Sequence, residues 1–195
     1  MKNRILMTAL LAALSFALTA CDYDGGVEQG RAVAYERGKD VTLVLDTSKV
    51  RGKPLYNGKA ATYKLPVDTM DMGAEPTCGG LLAVNPEKKI VSVYDAAGKS
   101  VKELPVEFTD VQKDIDARHP LVAGKTFPMI DKEKQTVTVY APTLRSLVTF
   151  NPGAAIAMPA DTWKFGDEAR VAFRNAEKTQ ALRFMNITKT NIFRR

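Results

Sequence analysis

The sequence feature that most constrains the fold is a recurring nine-residue pattern, in which a charged turn containing lysine leads into a strand rich in β-branched residues. Two copies read EKKIVSVYD and EKQTVTVYA, and their alternation places Val91 with Val93, and Val137 with Val139, on one face of a strand. Successive copies start 49, 46 and 44 residues apart. A true internal repeat and a chance recurrence both stay open. The four copies occupy residues 38–46, 87–95, 133–141 and 177–185.

A second apolar or alternating run precedes each copy, so each copy supplies one arm of a predicted β-hairpin. The pattern therefore predicts an all-β fold of antiparallel hairpins at 44–49-residue spacing, arranged as a small barrel or a sandwich. Two tandem barrels, divided near residues 120–125, would accommodate the same hairpins. The preceding runs lie at residues 32–35, 81–84, 126–130 and 170–173.

Other segments predict further strands and one short helix. Residues 41–45 are apolar on both faces, which favours a central strand. The helix is expected near 109–118, because Thr109 can cap it and because Val111 and Ile115 lie four residues apart on one helical face. Additional strands are expected at residues 60–65, 100–108, 144–150 and 154–158.

The segment WKFGDEARV at residues 163–171 places a Gly-Asp turn before alternating residues. It resembles the beginning of a strand in barrels of the oligonucleotide/oligosaccharide-binding (OB) type. The resemblance favours barrel-like packing, as in an OB-like barrel, and implies no particular ligand.

The first 21 residues carry a secretory leader. Lys2 and Arg4 make a cationic start, and residues 5–18 form an apolar run that is too short to span a bilayer permanently. The run ends in Leu18-Thr19-Ala20-Cys21, which resembles the lipobox of bacterial lipoproteins. The alternatives are an ordinary secreted protein cut after Ala20 and a buried N-terminal helix.

The lipobox resemblance implies a location for the mature protein. Residues 1–20 would be a signal peptide, and Cys21 would carry a diacylglycerol and usually a further acyl chain, the palmitate-type anchor of lipoproteins. Two or three chains hold a protein at a bilayer persistently. Asp22 resembles the signal for retention in the inner membrane, so we expect a lipid-anchored protein facing the periplasm. Residues 21–30 would be the lipidated Cys and a flexible tether, and 31–195 the β-rich domain.

Charge and composition narrow the range of partners. Removing Lys2 and Arg4 with the leader leaves 28 − 2 = 26 basic against 22 acidic residues, a net charge of +4. This mild excess suits an anionic surface or an envelope protein partner, and a solvated surface without a specific partner explains it equally well. Nucleic acid is not an expected partner outside the cytoplasm.

The one segment with candidate chemistry is the loop around Cys78. With Cys21 modified, Cys78 has no partner for an internal disulfide. Its thiol could be exposed and bind a ligand or a metal, with carboxylates from the loop Asp68 to Glu75, or it could be a small buried apolar residue. His119 is the only histidine, so a histidine-based zinc site is not expected.

These features predict a non-catalytic lipoprotein of the cell envelope, a binding or accessory subunit without cofactor, metal or catalytic residues. The β-rich body with this leader resembles an uncharacterised family of small bacterial lipoproteins. The alternative is a small-ligand or metal-handling protein, an enzyme included, that uses Cys78 and the loop Asp68 to Glu75.

Overall fold

The computed structural model describes residues 24–50 and 52–190, which form twelve β-strands and five short 3-10 turns. The expected all-β fold is confirmed. Within this part of the chain, no helix is long and apolar enough to cross a membrane. The strands are β1 (Gly25–Glu36), β2 (Asp40–Asp46), β3 (Tyr56–Lys64), β4 (Leu81–Asn85), β5 (Ile90–Asp95), β6 (Ser100–Pro105), β7 (Glu107–Gln112), β8 (Met129–Asp131), β9 (Thr136–Ala141), β10 (Ser146–Asn151), β11 (Glu168–Arg174) and β12 (Ala181–Asn186). The 3-10 turns are Thr69–Asp71, Pro142–Leu144, Gly153–Ala157, Ala160–Trp163 and Asn175–Glu177.

The strands assemble into three antiparallel sheets. Sheet 1 has the order β12-β11-β1-β2-β3, sheet 2 the order β4-β5-β6 and sheet 3 the order β7-β10-β9-β8. The four predicted hairpins are confirmed as β1-β2, β4-β5, β8-β9 and β11-β12. The first and last hairpins share sheet 1, because β11 pairs along β1 with Glu168 opposite Arg31.

Two of the hairpins have closely similar loops. Asn85 and Asp131 end the first strand of their hairpins, and the side-chain oxygen of each accepts a hydrogen bond of 3.0 Å from the backbone N–H three residues later. Lys89 and Gln135, directly before the second strands, have left-handed φ values of 54° and 55°. The side-chain cap followed by a left-handed residue reverses the chain within four residues, which is why the two copies fold alike.

Sheets 2 and 3 pack face to face as a sandwich. The alternating valines meet in the shared core, where Val91 and Val93 of β5 and Val137 and Val139 of β9 are all buried. The residues between them are only half-buried. Trp163 completes this core and is fully buried.

Strand β2 of sheet 1 is covered on both faces. Leu43 lies in the interior of the curled sheet, whereas Val44, the next residue of β2, packs against Leu82 of sheet 2. This confirms the central strand expected from the two apolar faces of residues 41–45. The outer strands of the sheet approach each other at one bridge, between Lys64 and Gln180. No closed barrel forms among the described residues, so the OB-like alternative does not apply to them.

The short helix expected at 109–118 is wrong. Glu107–Gln112 is strand β7, which pairs with β10 and places Val111 opposite Val148. After the strand the chain turns at Asp114, whose φ is 60°. The open edge of β10 offers a full ladder of backbone hydrogen bonds, and this tertiary pairing outweighs the local cap and the i,i+4 spacing.

Three of the four additional strands are confirmed, as β3, as β6 with β7, and as β10. The fourth, at residues 154–158, is wrong, because Gly153–Ala157 is a 3-10 turn. Gly153 has a left-handed φ of 58°, which bends the chain directly after Pro152. Apolar composition alone therefore did not distinguish a strand from a compact turn.

The tether expected at 21–30 is wrong for residues 25–30, which form the first half of β1 and pair with β11. A Cβ at Gly26 would lie 2.8 Å from the ring of Phe173, and one at Gly30 would lie 2.7 Å from Leu43 Cβ. The glycines that suggested a flexible segment instead let bulky neighbours pack on the strand. Cys21 and Asp22 lie outside the described residues.

Candidate functional site

A cavity of about 520 Å³ lies where the three sheets meet. Sheet 1 contributes Arg31, sheet 2 contributes Leu82 and Val84, sheet 3 contributes Tyr140, and Phe165 comes from the connection that precedes β11. Most lining side chains are apolar. The volume is within the usual range of small-molecule sites, and the composition of few polar groups in apolar walls is typical of them.

Arg31 is the buried cation of this cavity, with 8% of its surface exposed. Its Nη1 donates to the carbonyl oxygen of Gly166 at 2.8 Å, and its Nη2 donates to Glu168 Oε1 at 2.9 Å. The guanidinium carbon lies 4.7 Å from the ring centre of Tyr56 and 5.0 Å from that of Phe165. Burial lowers the pKa of Arg31, and the nearby Glu168 carboxylate opposes this effect. The guanidinium is thus stacked and ion-paired, while its Nε has no partner within the described structure.

Two close backbone approaches hold the connection in place against the sheets. A Cβ at Gly166 would lie 1.9 Å from the carbonyl oxygen of Ala32, and one at Gly79 would lie 2.1 Å from that of Lys164. Beside the first contact, the Ala32 N–H donates to the Asp167 carbonyl at 2.8 Å. Only glycine permits this approach, which brings the residues on either side of Gly166 up to the guanidinium.

The only tryptophan of the chain, Trp163, also lines the cavity. Its ring meets Phe150 edge-on, with 5.8 Å between the ring centres. The Nε1 atom is buried and has no hydrogen-bond partner in the part of the chain that the structure describes. A buried indole N–H usually finds an acceptor, so this donor is a second unsatisfied polar group in the cavity wall.

Asp167 fastens the same connection to the segment that precedes β4. Its Oδ2 accepts 2.8 Å hydrogen bonds from the backbone N–H of Thr77 and from Nδ2 of the fully buried Asn186. Lys189 Nζ lies 3.2 Å from the same oxygen. The carboxylate is therefore engaged in holding the fold together, although Asp167 is one of the residues that line the cavity.

Cys78, the candidate site residue from the sequence, lies away from this cavity. The side chain is half-buried against the core of sheet 1, and it borders a separate cavity of about 590 Å³ with Tyr94 and Met158. Burial, reinforced by the charge of Asp167, raises the pKa of the Cys78 thiol to about 11. A thiol with this pKa stays protonated at neutral pH and is a poor nucleophile and metal ligand.

The carboxylates of the loop Asp68 to Glu75 are each engaged in a separate contact. Asp68 accepts from the Met70 N–H at 2.8 Å and caps a 3-10 turn. Asp71 pairs with Arg183 of β12 at 2.9 Å. Glu75 pairs at 2.7 Å with Arg37, which lies in the turn between β1 and β2. Across residues 24–50 and 52–190, no group of three or more His, Cys, Asp or Glu residues could hold a metal ion.

Sequence reasoning missed the residues of the cavity, above all Arg31, Trp163 and Glu168. Two signals were present: Arg31 interrupts a run of small and apolar residues at the start of the first hairpin, and Trp163 is unique in the chain. Neither signal shows that residues 137 positions apart, Arg31 and Glu168, face each other on adjacent strands.

The fold and the cavity define an all-β protein of three antiparallel sheets with a ligand-sized site at their junction. The chain belongs to the family described as Domain of unknown function (DUF4881), whose model matches residues 22–195. No curated protein and no solved structure matches the chain.

Proposed function

We propose that this protein is a lipid-anchored, non-catalytic lipoprotein of the bacterial cell envelope that binds a small, mainly apolar ligand in the cavity at the three-sheet junction. The observation that carries the binding proposal is the buried Arg31, stacked between Tyr56 and Phe165 in the wall of that cavity. A cavity with apolar walls and one fixed polar group can both attract and orient a ligand.

The opening of the cavity supports an apolar ligand. Leu55 and Leu144 both line it, and each leaves about half of its surface exposed to solvent. A single exposed leucine is common on protein surfaces and does not indicate a binding site. Two exposed leucines at one cavity are different, because a bound ligand would remove both from contact with water. Covering such side chains contributes about 25 cal/mol for each Å² of apolar surface removed from water.

The leader supports the membrane location. The lipobox predicts an acylated Cys21, and Asp22 favours retention in the inner membrane with the domain facing the periplasm. A mild positive charge suits a domain beside anionic headgroups. An apolar ligand is concentrated at a bilayer, so anchoring would keep the cavity close to its ligand.

A neutral, apolar fluorescent dye tests the binding proposal. N-phenyl-1-naphthylamine is added to the full lipidated protein in phospholipid vesicles, and energy transfer from Trp163 to the dye is measured. Because Trp163 is the only tryptophan and lines the cavity, we expect strong transfer for the natural protein. Ala83→Phe places a large side chain at the cavity wall and should remove most of this transfer. Ala176→Phe, in the exposed 3-10 turn Asn175–Glu177, should not.

Dye dissolved in the lipid gives the same background in all three proteins, so the comparison isolates the cavity. Equal transfer in the natural protein and in Ala83→Phe would refute ligand binding at this site.

The anchor is tested separately. Cys21→Ser should release the protein from the membrane fraction or leave it with an uncut leader, and the intact mass of the natural protein should include fatty acids on Cys21. A natural protein that carries no fatty acid would remove the anchor from the proposal.

A further inference from the structure

We propose that the cavity selects an uncharged ligand that presents a carbonyl-type oxygen to Arg31, and that it discriminates against carboxylates. This inference rests on the proposed binding function and specifies the ligand class. It follows from two properties of the cavity wall: the charge of Arg31 is already compensated, and the unsatisfied polar atoms are all donors.

The charge compensation is local. Arg31 Nη2 lies 2.9 Å from Glu168 Oε1, and the Arg31 side chain is 10% exposed. A carboxylate brought to this guanidinium would place a second negative charge beside Glu168, with one cation for both. In a buried site with a low effective dielectric constant, this repulsion is weakly screened. The attraction of the second carboxylate to Arg31 therefore adds little binding free energy.

The other charges of the wall do not change this balance. Asp167 is negative and bonds to Lys189 at 3.2 Å. Lys164 also borders the cavity, but it is not among the charges that shift the pKa of Arg31. The charges that act on Arg31 are those of Glu168 and Asp167, and both favour the cation. The surroundings of Arg31 are thus already acidic, and they disfavour an anionic ligand.

The hydrogen-bonding groups point to an acceptor on the ligand. Arg31 Nε and Trp163 Nε1 are the two buried side-chain atoms without a partner among the described residues, and both are N–H donors. An unpartnered buried donor is costly, and a ligand oxygen that accepts from it removes that cost. Both nitrogens are buried, so a ligand oxygen reaches them only if neighbouring atoms move, and the new hydrogen bond would offset the cost of this movement. An uncharged carbonyl oxygen supplies the acceptor without adding charge.

A matched pair of competitors tests the inference. Cyclohexanecarboxamide and cyclohexanecarboxylate share size and shape and differ in charge at pH 7. Each is titrated against the bound naphthylamine dye in the vesicle assay. We expect the amide to displace the dye at a concentration about tenfold lower than the carboxylate, because only the carboxylate brings a second negative charge beside Glu168.

Glu168→Gln tests the cause of the preference. It removes the compensating charge while keeping an acceptor for Arg31, so the carboxylate should bind more tightly and the preference should reverse. Glu103→Gln makes the same charge change on the exposed face of β6 and should leave the tenfold preference intact.

The outcomes separate this inference from the binding proposal. If the dye binds but the carboxylate competes as well as the amide, or if the amide does not compete, the uncharged-ligand inference is overturned and the binding proposal stands. An unchanged preference in Glu168→Gln overturns it as well. If the dye itself does not bind in the natural protein, the binding proposal fails. The ratio in the natural protein decides the question even if Glu168→Gln does not fold.

Discussion

The ion pair between Arg31 and Glu168 should couple energetically, and a double-mutant cycle can measure the coupling. The perturbations are Arg31→Met, which keeps the length of the side chain without its charge, Glu168→Gln, which keeps the shape, and the two together. Each single change leaves the remaining charge in a largely buried position. The double change removes both charges, so it should cost less than the sum of the single changes.

The magnitude follows from distance and burial. Two unit charges about 4 Å apart attract by about 4 kcal/mol at an effective dielectric constant of about 20. The side chain of Glu168 is 23% exposed, so solvent screening reduces the coupling to about 1 to 2 kcal/mol. Arg31→Met also loses the hydrogen bond to Gly166 and the stacking on two rings, and it should lower the free energy of unfolding by about 3 kcal/mol.

Urea unfolding followed by Trp163 fluorescence gives the four free energies of the cycle. A matched control is the pair Arg37 and Glu75, whose N···O distance of 2.7 Å is shorter but whose side chains are 81% and 46% exposed. We expect no measurable coupling there, because exposed pairs are screened and pay side-chain entropy. Burial, rather than distance, would then explain the strength of the pair in the cavity wall.

Two results would refute this reasoning. Additive effects of Arg31→Met and Glu168→Gln would mean that the two charges do not interact in the folded protein. A coupling for Arg37 and Glu75 as large as that for the buried pair would mean that burial does not set the strength.

Further predictions concern the backbone contact behind the site and the free thiol. Gly166→Ala should lower the free energy of unfolding by about 3 kcal/mol or more, because the new Cβ would lie 1.9 Å from the Ala32 carbonyl oxygen. Gly124→Ala, with open space around it and a φ of 71°, should cost only about 1 kcal/mol, and urea unfolding of both variants checks the contrast. In the folded protein at pH 7, Cys78 should react with iodoacetamide about 100-fold more slowly than in urea, because its pKa is raised to about 11. Equal rates, measured by peptide mass mapping, would favour the alternative in which Cys78 is a reactive or metal-binding site. Burial disfavours the thiolate and so places the folded pKa above the unfolded one; the free energy of unfolding should therefore fall as the pH rises from about 9 to about 11, which pH-dependent urea unfolding can measure.

Much of the strand content could be predicted because the information is local. Val91 and Val93 alternate with polar residues, and Asn85 and Lys89 supply the cap and the left-handed position of the turn. Such signals act within about ten residues, so the sequence predicted all four hairpins. They failed at 109–118, where the helical spacing was local but the hydrogen-bond partner, β10, was distant in the chain.

The assembly of hairpins into sheets was not predictable from the same signals. Sheet 1 joins the first hairpin to the last, so that Gly25 pairs with Arg174. The glycines of 25–30 read as a tether by composition, yet they make room for Phe173 and Leu43. The structural role of a glycine depends on the residues that surround it in the folded protein, and the composition of a segment does not reveal those residues.

By itself, the sequence determined the all-β class, the hairpins and their turns, because each depends on residues that are adjacent or alternate along the chain. The leader stays a prediction from the sequence. Only the tertiary structure decided that Arg31 meets Glu168, Tyr56 and Phe165 around a cavity, and that Cys78 lies elsewhere as a half-buried thiol. The physical reason is that burial and charge pairing depend on distances in space. Those distances exist only after three sheets and a glycine-lined connection have brought remote segments together.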